Sequence, residues 1–503
     1  MTGGVVTLPN NCTTVASTTT LTSFGASTVI SAAGGKELVS GKHDRYYIKL
    51  VYVNSENATQ VQGETFTITP SIVAKADSTA SQTLADTIIS TYGTDTNLYY
   101  HTTDTSKYRN GEGSITSINP NNDESATYVS LNAGDNSYRY AGPEGTYFYI
   151  PAQYNGGTNG QLYTQNQLYN NANTLMTTLI SNGANIVPQS QTEISIDGTT
   201  YNMGTQAEQA MQALITAGYL AMTNFTMNNY VCFGASNEST CLNDTSNNGT
   251  SKYLYRIIGV FDDGSGNYVT KLIMANPLYN SATSESKFKW DRRGDYHSNE
   301  WRNASLKQWL NGETLKSGAE EYYPATSFLS NYTSTWTNKI LPYTWYVRGM
   351  SDSSFNAKSV YTQEIYNVKN SVNGYTTTNQ NTSPILTNTK VGLMYVSDYM
   401  YAASPAYWNY PAFADVGLSS FNDAATSNWL IREAVFGNER WTISPDADTG
   451  DMAWKASGSV VGFDIAVTYA VLPVVNLSSD IEIDAGATSA DGSPSHPYIL
   501  KVE

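Results

Sequence analysis

The chain has 503 residues, enough for roughly two or three domains, with 27 Lys and Arg against 43 Asp and Glu and a formal net charge of −16. Such a chain offers no basic surface to follow a phosphate backbone or an anionic bilayer, so nucleic acid and membrane surfaces are not its expected partners. Charged residues are only 14% of the total, yet 38 Tyr and 9 Trp exclude a disordered chain and leave Asn, Thr, Ser and Gly to cover the surface, as in extracellular β-rich proteins.

The opening "MTGGVVTLPNN" lacks the basic start and apolar core of a signal peptide, so any leader or anchor is expected outside this sequence. Residues 1 to about 90 are rich in Thr, Ser and Val. In "ETFTITPSIVA", Phe66, Ile68 and Ile72 alternate with Thr65, Thr67, Thr69 and Ser71, the pattern of a half-buried strand. An antiparallel β-sandwich over 1–90 is the natural expectation. "LYYH" and "GDNSYRYAG" follow as strand and loop, within a first domain part at 91–142.

The period then changes. Leu168, Ala172, Leu175, Met176 and Leu179 recur at helical spacing, with Gly183 as the stop. A second helix is expected to begin at Thr205, with Glu208 completing a capping box and Ala207, Met211, Leu214, Ile215 and Gly218 on one face. Residues 143–226 therefore read as a helical insertion in a β-rich domain that resumes over 227–503. "YLYRIIGVFDDGSGNYVTKLIMAN" predicts a hairpin turning at Asp262 to Asn267, and "NASLKQWLNGE" a short helix ended by Gly312. "NYTSTWTNKIL" predicts another. Ser397 can cap a short helix that Pro405 ends, and "WTISP", "GSVVGFDI" and "YAVLPVVNLSSDIEI" read as closing strands. No apolar run reaches membrane-spanning length.

All nine Trp lie between Trp290 and Trp454. In "VGLMYVSDYMYAASPAYWN", Tyr395, Tyr399 and Ala402 or Ala403 share helical spacing, which favours core packing over a ligand platform for that face. A binding face would instead use the loop aromatics Tyr407, Trp408, Tyr410, Trp441 and Trp454.

Cys232 and Cys241, nine positions apart around a turn-rich loop, read as a local disulfide of an oxidising compartment, with two free thiols as the alternative; Cys12 is left over. Closing so short a loop stabilises the fold by roughly 2.7 kcal/mol on the chain-entropy model.

Several blocks, "LYYH", "GDNSYRYAG", "NNYVCFG", "WRNASLKQWLNGE", "VGLMYVSDYMYAASPAYW", "RWTISP" and "LPVVNLSSDIEI", taken in order, resemble a family of uncharacterised domains found in bacterial cell-surface and pilin-like proteins. The layout is also similar to the C-type-lectin and formylglycine-generating-enzyme type of fold. "YYIKLVYVNSENATQVQGETFTITPSIVA" resembles the strands of secreted biofilm-fibre β-sandwich proteins. These resemblances imply a β-rich α+β protein: an N-terminal antiparallel β-sandwich followed by a lectin-like α+β domain with a helical insertion. They imply no assigned activity.

Catalytic motifs are sparse. The four His (His43, His101, His297, His496) form no HExxH, and there is no GxSxG, P-loop or GxGxxG. The cysteine-dependent oxidase chemistry of formylglycine-generating enzymes has no Cys in the corresponding C-terminal region. A glycoside-hydrolysing carboxylate pair would be Asp398 and Glu300. "DADTGD" places Asp446, Asp448 and Asp451 in an oxygen-rich loop of the kind calcium uses, although the bidentate Glu is missing and a solvated acidic turn explains it as well. Arg293-Gly294-Asp295 spells the tripeptide integrins read, and reads equally as a turn. The sequons at Asn303 and Asn331 are expected in so Asn- and Thr-rich a chain.

The expectation is a non-enzymatic extracellular or cell-surface protein without a required cofactor. It would be a filament subunit partnering itself, with "GGVVTL" as a donated strand, or an adhesin. A monomeric module binding glycan or host protein is the alternative, and a carbohydrate-active enzyme the weaker one.

Overall fold

The computed structural model describes residues 82–109, 112, 127–292, 299–350, 356–366, 385–409, 427–430, 439–447, 450–456 and 460–502. The chain divides into two units, Met1–Lys75 and Ala76–Glu503. Residues 1–81 of the sandwich expected over 1–90, the donated strand, Cys12 and the Arg293-Gly294-Asp295 tripeptide lie outside the described residues, and the end of that expected sandwich is helical instead. Helix Leu84–Thr91 belongs to the second unit: Leu84, Ala85 and Ile88 are buried in its main core, and the Leu84 N–H donates to the Ile481 carbonyl.

The described part is a β-rich α+β arrangement with ten α-helices. Its largest sheet has nine strands. Val391–Gly392, Val474–Leu477, Tyr268–Met274, Leu254–Asp262, Tyr230–Cys232, Tyr498–Lys501 and Glu482–Ile483 follow one another, and Ser137–Tyr140 and Leu98–His101 extend the sheet from the far half of Leu254–Asp262. All pairings are antiparallel except Tyr498–Lys501 with Tyr230–Cys232. The expected hairpin forms, with Tyr268 opposite Asp262 and a bulge beside Lys271 and Leu272. The bulge places Gly259 where an added Cβ would lie 2.3 Å from the Tyr138 carbonyl oxygen, so only glycine lets strand Ser137–Tyr140 come this close.

One aromatic-rich core lies against this sheet. Trp290, Trp301, Trp345, Trp408 and Trp441 are fully buried. Each indole removes roughly 150–250 Å² from water, ~4–6 kcal/mol at ~25 cal/mol per Å². Backbone carbonyls accept from several of these indoles: Trp290 donates to Thr442 and Trp345 to Thr389, both at 2.9 Å, whereas the Trp301 N–H finds no acceptor.

Residues 143–226, expected as a helical insertion, enclose an apolar cluster of their own and contain strands as well as helices. Strands Gly145–Tyr149 and Ala221–Phe225 pair antiparallel in full register, so the chain leaves and returns side by side. Between them, helices Gln165–Asn170, Ala172–Ser181 and Ala207–Thr216 enclose their own core with Leu175, Leu179, Ala210 and Leu214. The three-stranded sheet Ile186–Pro188, Glu193–Ile196, Thr199–Asn202 completes it. That sheet turns at Asp197-Gly198, both at positive φ (48° and 84°), a hairpin signal that the sequence reading passed over. The capping box expected at Thr205 is absent: the helix starts after Gln206, and the Thr205 N–H is held by Asn202 Oδ1 at 3.2 Å. The box that forms is Thr164 with Gln167.

Candidate functional site

The polar centre of the main unit lies where two helices meet one face of the large sheet. Gly259 pairs with Arg139 on one neighbouring strand and with Lys271 on the other. Residues in register across adjacent strands share a face, so Arg139 and Lys271 flank a residue with no side chain and converge above it. Asp398, from the short helix Val396–Tyr401, lies at that convergence. The Lys271 Nζ is 2.5 Å from Asp398 Oδ2, and the Arg139 Nη1 is 3.7 Å from Asp398 Oδ1. All three are buried, with Asp398 3% exposed.

The first turn of that helix supplies the remaining contacts. The Tyr395 N–H donates to Asp398 Oδ2 at 2.9 Å. The next two, Val396 N–H and Ser397 N–H, donate to the two oxygens of Glu364 at 2.8 and 3.1 Å. Glu364 comes from helix Ala357–Tyr366, is 0% exposed, and also accepts from the Ser444 hydroxyl. Two carboxylates therefore hold consecutive orphan N–H groups of one helix end. Ser397 was expected to cap this helix; it lies inside it, and Tyr395 takes the cap position.

Burial sets the proton affinities here. It pushes the Glu364 carboxyl up to about 7, against the pull of Ser397 and Ser444. Burial also lowers the Lys271 ammonium, with Asp398 opposing. Arg139 is raised despite its burial, because Asp135 and Asp398 both face it. Asp135 would be raised by burial, but the Arg139 guanidinium holds it down to about 2. Aromatic faces wall the cations: Arg139 lies 4.7 Å from the Phe261 ring centroid and 5.0 Å from that of Tyr401, and Lys271 4.6 Å from that of Tyr395.

His101 lies on the strand paired with that of Arg139, opposite Ser137. Its Nδ1 accepts the Ala133 N–H at 3.0 Å, which places the proton on Nε2, and burial lowers its basicity well below the usual range. Nε2 finds no hydrogen-bond partner and sits among the rings of Tyr401 and Trp408, at centroid distances of 4.7 and 4.9 Å. His101 is thus a neutral core histidine.

Of the five aromatics expected to line a binding face, the three Trp lie in the core. Trp408, Trp441 and Trp454 are core residues, 0%, 1% and 2% exposed, with indole N–H groups donating to Ala403, Phe288 and Met350 carbonyls at 2.8, 2.9 and 3.2 Å. A neighbouring loop does not keep an indole out of the core, because the gain from burying its area wins once a carbonyl is in reach. Tyr407 is half-buried, and Tyr410 lies outside the described residues. The reading of the 395–403 stretch as core is upheld: every residue of helix Val396–Tyr401 is buried.

Asp446 is buried in the sheet Arg440–Pro445, Met452–Ala456, Val460–Asp464, its N–H donating to Met452. Asp451 is half-buried, and Asp448 lies outside the described residues, among which no three His, Cys, Asp or Glu side chains gather to hold a metal. Asp398 and Glu300 do not share a cleft role: Asp398 is enclosed by its two cations, whereas Glu300 accepts from Asn303 at 3.0 Å and is raised by partial burial. The disulfide Cys232–Cys241 is present, with both residues fully buried beside Ala235 and Ile499. Among the described residues no helix is long and apolar enough to cross a membrane.

Sequence reasoning found Asp398 but not its partners. Arg139 alternates with Tyr138 and Tyr140 in a short strand and so looks solvent-facing, and Glu364 sits in a helix of weak amphipathicity. The one available signal was a Lys inside the apolar run "YVTKLIMAN". Comparison of the chain with protein-family models, curated proteins and solved structures gives no match.

Proposed function

We propose that the protein works outside the cell as a structural or adhesive component, a subunit of a surface filament or a displayed adhesin. The observation that carries this reading is the Cys232–Cys241 disulfide, since such bonds persist in oxidising compartments and are rare in the cytosol. The sparsely charged, Asn- and Thr-rich composition supports it. In this reading the first unit, Met1–Lys75, forms an antiparallel β-sandwich that mediates assembly, and a lectin-like α+β domain carrying the 143–226 insertion is the displayed part. Negative-stain electron microscopy and light scattering of the purified chain, with and without calcium, test it. Regular filaments support the subunit reading; discrete monomers under every condition refute it and leave adhesion to be tested.

A binding module is the second reading, favoured by one surface observation. Phe463 and Val467 are 38% and 36% exposed beside Tyr469, whose ring meets Phe463 edge-on at 5.5 Å, and Lys455 lies 4.7 Å from the Phe463 ring centroid. An exposed phenyl ring with a cation beside it suits the apolar face of a sugar. Glycan arrays probed with the chain and with Phe463→Ala test this: binding lost in the variant supports it, and no glycan bound, or binding unchanged, overturns it.

A further inference from the structure

The Lys271–Asp398 contact has the parts needed to become covalent. The amine nitrogen and the carboxyl are in contact at 2.5 Å, held by a strand and a helix of one rigid core and shielded from water. A second carboxyl, Glu364, occupies the next two N–H groups of the same helix turn. The charges of Glu364 and Asp398 act on each other, and both act on Lys271. Arg139 faces the other Asp398 oxygen.

We propose that Lys271 and Asp398 condense spontaneously in the folded protein to an intramolecular amide (isopeptide) bond, with Glu364 as the proton relay. The assignment is independent of whether the chain forms filaments.

The step balances without any co-reactant. In the ion pair Lys271 carries three protons on Nζ and Asp398 none. One proton moves to Asp398 Oδ2, making the carboxyl neutral, and the freed Nζ lone pair attacks Cγ. Charge then develops on Oδ1, which faces the Arg139 guanidinium. Glu364 takes a second proton from the nitrogen and delivers it to Oδ2, which already carries the first and accepts the Tyr395 N–H. The Cγ–Oδ2 bond breaks, water leaves, and an amide N–H remains. Nothing is oxidised or reduced.

Amide formation from a carboxylate and an ammonium is unfavourable in bulk water. Three features of the site reverse that. The partners are held in contact, which replaces a bimolecular encounter by an effectively unimolecular one. Burial lowers the basicity of the Lys271 amine and so favours the neutral nucleophile that reacts. The surrounding Phe261, Tyr395, Tyr361 and Tyr401 rings exclude the water that would reverse the step. A group able to gain and lose a proton near neutral pH, Glu364, completes the relay.

The test is the intact mass of the purified full chain, measured after denaturation, followed by peptide mapping. The expected result is a mass lower by one water than the disulfide-bonded sequence requires, with a branched peptide joining Lys271 to Asp398. Full mass after prolonged incubation of the folded chain overturns the proposal, as does a water loss mapped to any other residue. Because this measurement uses the unmodified chain, it does not depend on a variant folding. Asp398→Ala is expected to retain full mass. Asp398→Asn is expected to cross-link with loss of ammonia in place of water, an outcome that a mere ion pair does not produce. Glu364→Gln is expected to accumulate uncross-linked chain whose core fluorescence is native; cross-linking at the rate of the unmodified chain in that variant overturns the relay role of Glu364.

Discussion

Gly259→Ala is the most incisive perturbation of the architecture beneath the charged cluster. The added carbon would stand 2.3 Å from the Tyr138 carbonyl oxygen and 3.1 Å from Arg139 Cα. Ordinary carbon–oxygen contact begins near ~3.3 Å, so strand Ser137–Tyr140 must retreat by about 1 Å. Both nearest groups are backbone, and no rotamer change relieves them. Overpacking of this kind costs about 1–3 kcal/mol, and weakening the strand pairing at Tyr138 and Arg139 costs about 1 kcal/mol more. Against this, alanine stabilises by about 0.4–1 kcal/mol through the unfolded chain. The net expectation is a loss of about 2–3 kcal/mol. Urea unfolding followed by Trp fluorescence measures it well, because every Trp lies in the main unit and none in the insertion. Gly160→Ala is the matched control: its added carbon would meet Ile150 only at 3.4 Å, and it lies in the insertion, so the Trp-reported midpoint should not move. A Gly259→Ala chain as stable as the control would refute the claim that glycine here permits the convergence of Arg139 and Lys271.

Three further outcomes are expected. Glu364 is raised from its ordinary 4.5 to about 7, so the folded state holds a proton the unfolded chain has released; its contribution is fully present below pH 4.5 and lost as pH rises through about 7, roughly 3 kcal/mol in all. Stability measured from pH 5 to 8 should therefore fall less steeply in Glu364→Gln than in the unmodified chain, and parallel curves would contradict the assignment. Reducing the unfolded chain, or replacing Cys232 and Cys241 by Ala, should lower stability by about 2.7 kcal/mol for a bond spanning nine positions, read as a shift in urea midpoint; an unchanged midpoint would contradict the loop-closure account. Trp408→Phe removes the N–H held by Ala403 and leaves a gap beside His101 and Tyr128, so it should cost about 2–4 kcal/mol in unfolding. Any ligand affinity of the folded chain should be unaffected, and a selective loss of binding would restore Trp408 to a ligand-facing role.

The residue pattern alone determined much of the local structure. Alternation and turn residues marked the Leu254–Met274 hairpin, Gly312 closed the helix Ser305–Asn311 in the left-handed region, and the cysteine spacing marked the disulfide. Each of these depends on neighbours within a few residues, which is where sequence information is dense. The helix start at Gln206 shows where that fails: Thr205 and Glu208 are suitable capping residues, but Asn202 captured the Thr205 N–H first. The sheet order, the burial of Trp408, Trp441 and Trp454, and the meeting of Arg139, Lys271, Glu364 and Asp398 were decided only by the tertiary structure. Several of these contacts join positions more than a hundred residues apart, as with Lys271 and Asp398, separated by 127. Nothing local distinguishes a lysine that will be enclosed by aromatic rings from one that will point to water; the difference is made when the sheet and the helix close over it and remove the solvent that would otherwise hold its charge.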